Sequence, residues 1–210
     1  MGITNGSVVS VGGSYACAVV GTGTIQCWGH NGQGELGNNS TTTCNVDSPC
    51  SEVPIAVSDI TSAIAVAAGE SHACALLKDR TVLCWGSNSF GELGNGTTTD
   101  SQAPVVVTGV SNALTVAAGR LHTCALLDGG AVRCWGSNAH GELGDGTTAD
   151  STSPVVVVGV TDAVSVAVGA WHSCILVKNG SVRCWGDNSY GELGNGTATN
   201  SSVPVTVSGF

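Results

Sequence analysis

Four Cys-Trp-Gly triplets divide this chain into copies of one unit. Alignment on them places Trp28, Trp85, Trp135 and Trp185 in register, at steps of 57, 50 and 50 residues. A period near 50 restricts the fold to arrays, because one such unit is too small to bury its faces except against its sequence neighbours. The repeat units are centred on 13–54, 69–104, 119–154 and 169–204 within a single repeat domain, 1–210. The surplus of the first unit falls around "CNVDSPC", which reads as a cystine-loop insertion over 43–50.

Inside a unit, short β-rich runs such as "PVVV" from Pro104, "LTVAA" from Leu114, "TCALL" from Thr123 and "AVRCW" from Ala131 are separated by Gly, Asn, Asp and Pro clusters. Runs of this length and composition predict four short strands per unit. The period then predicts an all-β, propeller-type array of four four-stranded blades.

The cysteines test that reading in detail. If Cys74–Leu77 and Thr81–Trp85 are hairpin arms joined by Lys78, Asp79 and Arg80, then Cys74 lies directly opposite Cys84. Cross-strand Cβ atoms are about 4.5–5.5 Å apart, near disulfide reach. The same arithmetic pairs Cys17 with Cys27, Cys124 with Cys134 and Cys174 with Cys184, leaving Cys44 for Cys50. A three-residue hairpin wants a left-handed residue at its last loop position, where Gly23, Gly130 and Gly180 stand; Arg80 is the exception and predicts strain. Ten locally paired cysteines imply an oxidising setting, hence an extracellular or cell-surface location. Zinc ligation would want CxxC spacings or His partners, so no metal or other cofactor is expected.

Acidic residues outnumber basic ones 15 to 6, a net charge of -9 that would repel a phosphate backbone, so no nucleic-acid partner is expected. No apolar run approaches the roughly 18 residues of a membrane span. The opening "MGITNGSVVS" lacks the basic and apolar regions of a secretory signal, so the chain reads as soluble and mature or as an excised segment.

The unit "HTCALLDGGAVRCWGSNAHGELGDGTTADSTSP", His122 to Pro154, resembles the repeat of the regulator of chromosome condensation family. A His-led strand, a glycine hairpin, WGxN, a GxLG turn and a Gly/Thr-rich connection to proline all stand in order. The resemblance implies a β-propeller, and the cysteine pairs suit a secreted branch. The family turn is usually GQLG, whereas here Glu35, Glu92, Glu142 and Glu192 replace the glutamine. Well-known members have seven blades against four here. The end "VPVTVSGF" matches the outer segment "APVVVTGV", and the beginning matches the stretch directly after that segment, so one blade is expected to be split between the termini.

No catalytic constellation stands out, and an enzyme is not expected. The repeated His72, His122 and His172, with Tyr15 in the first copy, sit among the same neighbours each time and suit a structural hydrogen bond. The four turn glutamates, with the Asn/Asp/Thr connections, are weighed for calcium but also match ordinary turn chemistry. The WGxN tryptophans, Phe90 and Tyr190 are expected to pack between blades. Units differ most in the dipeptide before each repeated His, so Glu70, Arg120, Leu121 and Trp171 are the partner-binding candidates. The leading expectation is a non-enzymatic extracellular structural or adhesive protein that assembles head to tail through the split blade into homo-oligomers or polymers. The alternatives are a secreted binding module or inhibitor that holds a protein on one loop face, as a secreted β-lactamase inhibitor of the family does, and a guanine-nucleotide exchange regulator.

Overall fold

Residues 3–44 and 48–209 are described by the computed structural model, so residues 45–47 at the centre of the cystine loop lie outside the description. The first sheet holds β1 (Gly6–Val11), β2 (Tyr15–Val20), β3 (Thr24–His30) and β4 (Cys50–Ala56). The second holds β5 (Ala63–Ala68), β6 (His72–Leu77), β7 (Val82–Gly86) and β8 (Ser101–Val106). The third is built from β9 (Ala113–Ala118), β10 (His122–Leu127), β11 (Val132–Gly136) and β12 (Ser151–Val156). The fourth comprises β13 (Ala163–Val168), β14 (His172–Val177), β15 (Val182–Gly186) and β16 (Ser201–Thr206). Each sheet is an antiparallel meander in chain order, which is the four-stranded blade expected from the repeat.

The central hairpins follow the expected register: Cys74 opposes Cys84, Leu76 opposes Val82, and Trp85 lies across from Ala73. Cystines join Cys17–Cys27, Cys44–Cys50, Cys74–Cys84, Cys124–Cys134 and Cys174–Cys184. In the β2–β3 pair and its equivalents the bonded Cα atoms stand 4.0–4.1 Å apart. Arg80 adopts φ 69°, beside 87° and 86° at the equivalent Gly130 and Gly180, so the side chain sits where only glycine is at ease.

The split blade is not formed. β1 pairs with β2 of its own sheet and β16 pairs with β15, so the chain is divided between blades rather than inside one. The physical reason is that each proline-containing strand pairs back onto the strand before it. β8 bonds to β7 through Leu83↔Val106, Cys84↔Val105 and Gly86↔Ser101, and closes its own blade.

Blades stack in sequence. The innermost strands pack β1 on β5, β5 on β9 and β9 on β13. Three apolar clusters fill the junctions, each combining one face of a blade with the opposite face of the next. Trp85, Trp135 and Trp185 are fully buried at them, and each indole Nε1–H donates to the turn-glutamate carbonyl of the preceding blade, at 2.8, 2.7 and 2.7 Å. Trp28 has no preceding blade and is only half-buried. Phe90 and Tyr190 depart from expectation: they are 39% and 94% exposed rather than packed between blades.

Candidate protein-binding surface

The loops that lead into β2, β6, β10 and β14 gather at one end of the innermost strands. Each begins with a glycine, and the first three of these are pressed against the next blade. A Cβ on Gly12 would stand 2.4 Å from the Gly69 carbonyl oxygen, one on Gly69 2.5 Å from that of Gly119, and one on Gly119 2.4 Å from that of Gly169. Only a residue without a side chain allows this approach, and the backbone bonds Gly13 N–H to Glu70 O and Glu70 N–H to Gly119 O then lock adjacent loops. The two residues after each glycine are thereby held at fixed spacing around an open concavity of about 540 Å³, with Glu70 and Arg120 at its edge.

Three of the four binding candidates meet there. The Arg120 guanidinium donates from Nε to the Glu70 carboxylate and lies 4.9 Å from the centre of the Trp171 ring. Trp171 meets His140 edge-on, ring centres 5.6 Å apart, and His140 Nδ1 lies 3.2 Å from the Asn200 amide nitrogen. Glu70, Arg120 and His140 remain 40–47% exposed. Leu121 does not join: it is half-buried, and its carbonyl accepts the Ser137 N–H. The result is an ordered row of anion, cation and aromatic spanning three blades. A cation over an indole face contributes about 0.5–1 kcal/mol when exposed.

Beneath this row the repeated residues hold the frame. His72 Nε2 bonds Thr123 Oγ1 and His122 Nε2 bonds Ser173 Oγ, both at 2.9 Å; each hydroxyl donates onward to the turn-glutamate carbonyl of its neighbour blade at 3.1 Å. The hydroxyl therefore accepts from the ring, which fixes the proton on Nε2. Burial holds His72 down at about 4 and His122 at about 3, the latter also repelled by His72 and His172. At the first junction Tyr15 Oη donates to the His72 carbonyl, and Ala73 stands where the other junctions have Thr123 or Ser173. Burial raises the Tyr15 phenol well above its ordinary value, with the Glu35 charge adding to it.

Each turn glutamate accepts the backbone N–H two residues before it, as in Phe90 N–H to Glu92 Oε2 and His140 N–H to Glu142 Oε2, both 2.8 Å. Burial raises both carboxyls. Their role here is to shape a turn. Among the described residues no group of three or more His, Cys, Asp or Glu side chains converges to hold a metal, and no helix is long and apolar enough to cross a membrane.

Comparison with known proteins gives a consistent picture. The family model described as regulator of chromosome condensation (RCC1) repeat matches residues 22–76, 79–126, 129–176 and 179–210, and a second model of the same repeat matches 63–92, 114–142 and 163–192. Protein RCC2 homolog of Danio rerio is 30% identical over 90 residues, 42% of this chain and 17% of that protein. Yeast RCC1 (Prp20), solved bound to Kap60, superposes with a TM-score of 0.84 at 22% identity, covering 96% of this chain and 48% of its own. Human WBSCR16 superposes at 0.85 and 22% identity, covering 97% and 55%. A further structure of Prp20p from Saccharomyces cerevisiae, reported with its binding properties to Gsp1p and histones, gives 0.84 at 22%. The chain thus spans about half, or less, of the length of these relatives.

Proposed function

Because the chain belongs to the regulator of chromosome condensation (RCC1) repeat family, we propose that it is a non-enzymatic protein-binding module working outside the cytoplasm. Ten cysteines, all in cystines, favour the oxidising setting. The observation that carries the binding reading is Arg120 held between the Glu70 carboxylate and the Trp171 face on an exposed, open concavity. Trp and Arg are the side chains that dominate protein interfaces, and pre-ordering them lowers the entropy lost on docking. An open hollow suits a protein surface better than a small molecule, which would need enclosure. The yeast relatives engage protein partners, which supports the same class of partner here.

The test is affinity capture from the extracellular fraction of the source cells with wild-type chain and with Trp171→Ala. Trp171 is half-buried and lies outside the apolar clusters between blades, so the variant should keep its melting temperature within a few degrees. Proteins retained by wild type and lost with Trp171→Ala are the expected outcome. Equal retention by both chains, or none by wild type, refutes the reading.

A further inference from the structure

Beside Trp171 the loop face leaves two hydrogen-bond donors without acceptors. The first is the outer end of Arg120, whose guanidinium carries its N–H groups in a rigid fork. Its Nε–H is taken by the Glu70 carboxylate, and the group lies 4.9 Å from the centre of the Trp171 ring. Among the described residues nothing accepts from the Nη end, and the side chain is 47% exposed.

His140 supplies the second donor. Asn188 N–H donates to Asn200 Oδ1 at 2.9 Å, which turns the Asn200 amide nitrogen toward His140 Nδ1 at 3.2 Å. An amide nitrogen only donates, so Nδ1 accepts and the proton of the neutral ring stands on Nε2. Asp187 Oδ1, 3.8 Å from Nδ1, lies beyond hydrogen-bond reach and accepts the Ser189 hydroxyl at 2.7 Å instead. The Nε2–H has no acceptor among the described residues. All these contacts lie within the third blade or at its junctions with the second and the fourth, so the chain itself supplies both sides of each.

We infer that the partner held on this face presents a carboxylate to the Nη end of Arg120 and a further acceptor to His140 Nε2–H. This rests on the loop-face binding proposed above and names the partner's chemistry. Glu70 occupies one edge of the guanidinium and Trp171 its face, so the edge left open is the one whose paired N–H groups match the two oxygens of a carboxylate. Holding the fork in place beforehand spares the rotamer freedom that a loose surface arginine loses on docking. The net charge of -9 opposes an anion at long range. Salt screens that field within about 8 Å at physiological ionic strength, whereas the guanidinium acts at contact, so the local donors decide. The same field disfavours densely acidic partners, and the fitting ligand is one carboxylate in a segment of low net charge.

The experiment titrates the full chain, cystines intact and isotope-labelled in nitrogen, with three probes followed by NMR at neutral pH. N-acetyl-aspartate amide offers a side-chain carboxylate, N-acetylglycine a chain-terminal one, and N-acetyl-asparagine amide is the uncharged control. Saturable millimolar shifts of the Arg120 Nε–H and Trp171 indole N–H signals are expected with a carboxylate and not with the control. Arg120→Gln, read at the indole, should weaken binding at least tenfold. Arg120→Lys keeps the charge but neither the fork nor the flat face and should weaken it severalfold. His140→Phe keeps a ring against Trp171 without the donor and should also weaken it; an unchanged affinity overturns the second contact. Response to the aspartate probe alone places the carboxylate on a partner side chain, and response to N-acetylglycine alone places it at a chain end; either supports the inference. No saturable shift with either carboxylate, an equal response to the control, or an equal response in Arg120→Gln overturns it. A captured protein that is lost with Trp171→Ala but kept with Arg120→Gln refutes the carboxylate and leaves the loop face standing, so the two proposals fail separately.

Discussion

At the scale of single residues, the junctions run on two interchangeable devices. His72 and His122 need a hydroxyl opposite, whereas Tyr15 reaches a backbone carbonyl and is content with Ala73. Thr123→Ala should therefore cost about 1–3 kcal/mol, the penalty of leaving a buried donor and the Glu92 carbonyl short of a partner. His72→Tyr combined with Thr123→Ala rebuilds the first junction's device and should recover part of that loss, read as coupling in urea unfolding of the four chains. The same histidines set an acid limit. They titrate near 6.5 in the unfolded chain but about 4 and about 3 when folded, so their contribution is intact above pH 6.5 and is lost as pH falls toward those values. Glu92 acts in the opposite direction. Its Oε1 is buried with no partner among the described residues, and its raised folded value makes it a liability that appears as pH climbs past its ordinary 4.5. Glu92→Gln, the residue usual in the family turn, should raise the melting temperature at pH 7 and leave it unchanged below pH 4.

At the scale of elements, the hairpin was the most legible part of the chain. Its register follows from a ten-residue cysteine spacing and a glycine at the third loop position, both local facts, and Arg80 marks the one copy where that glycine is missing. Arg80→Gly should stabilise by about 0.5–1 kcal/mol: relief of a left-handed side chain outweighs both the exposed pair with Asp128 and the added freedom of the unfolded chain. An unchanged or lower thermal midpoint would contradict it. Where a blade begins was not legible, because a periodic sequence has no intrinsic origin and matches itself equally well wherever it is cut. Only the pairing of β8, β12 and β16 with the strand before each decides the boundary. The surface shows the same division. Glu70, Arg120 and Trp171 stood out as the variable positions of a repeated loop, but His140 looked like an isolated turn residue. Its contact with Trp171 spans 31 residues, the separation that also joins Thr123 to the Glu92 carbonyl and Ser173 to that of Glu142. Such cross-blade neighbours become visible only once the stacking offset is known.

For the whole molecule, an open stack of blades predicts uneven stability. In an array where each unit touches only its neighbours, stability is close to a sum of unit and junction terms. The second and third blades have two junctions each, the first and fourth only one. Cystines within the four blade hairpins stiffen all of them alike, each contributing about 2.7 kcal/mol in the chain-entropy model, so they do not erase the difference. Hydrogen exchange at low concentration should find the strongest protection in β6 and β10 and the weakest in β14 and β16, whose outward face exposes Leu176 and half-exposes His172. The first blade should fall between, since Ala16, Ala18 and Val20 on its open side are already buried. Uniform protection across the four sheets would mean that the blades unfold as one body.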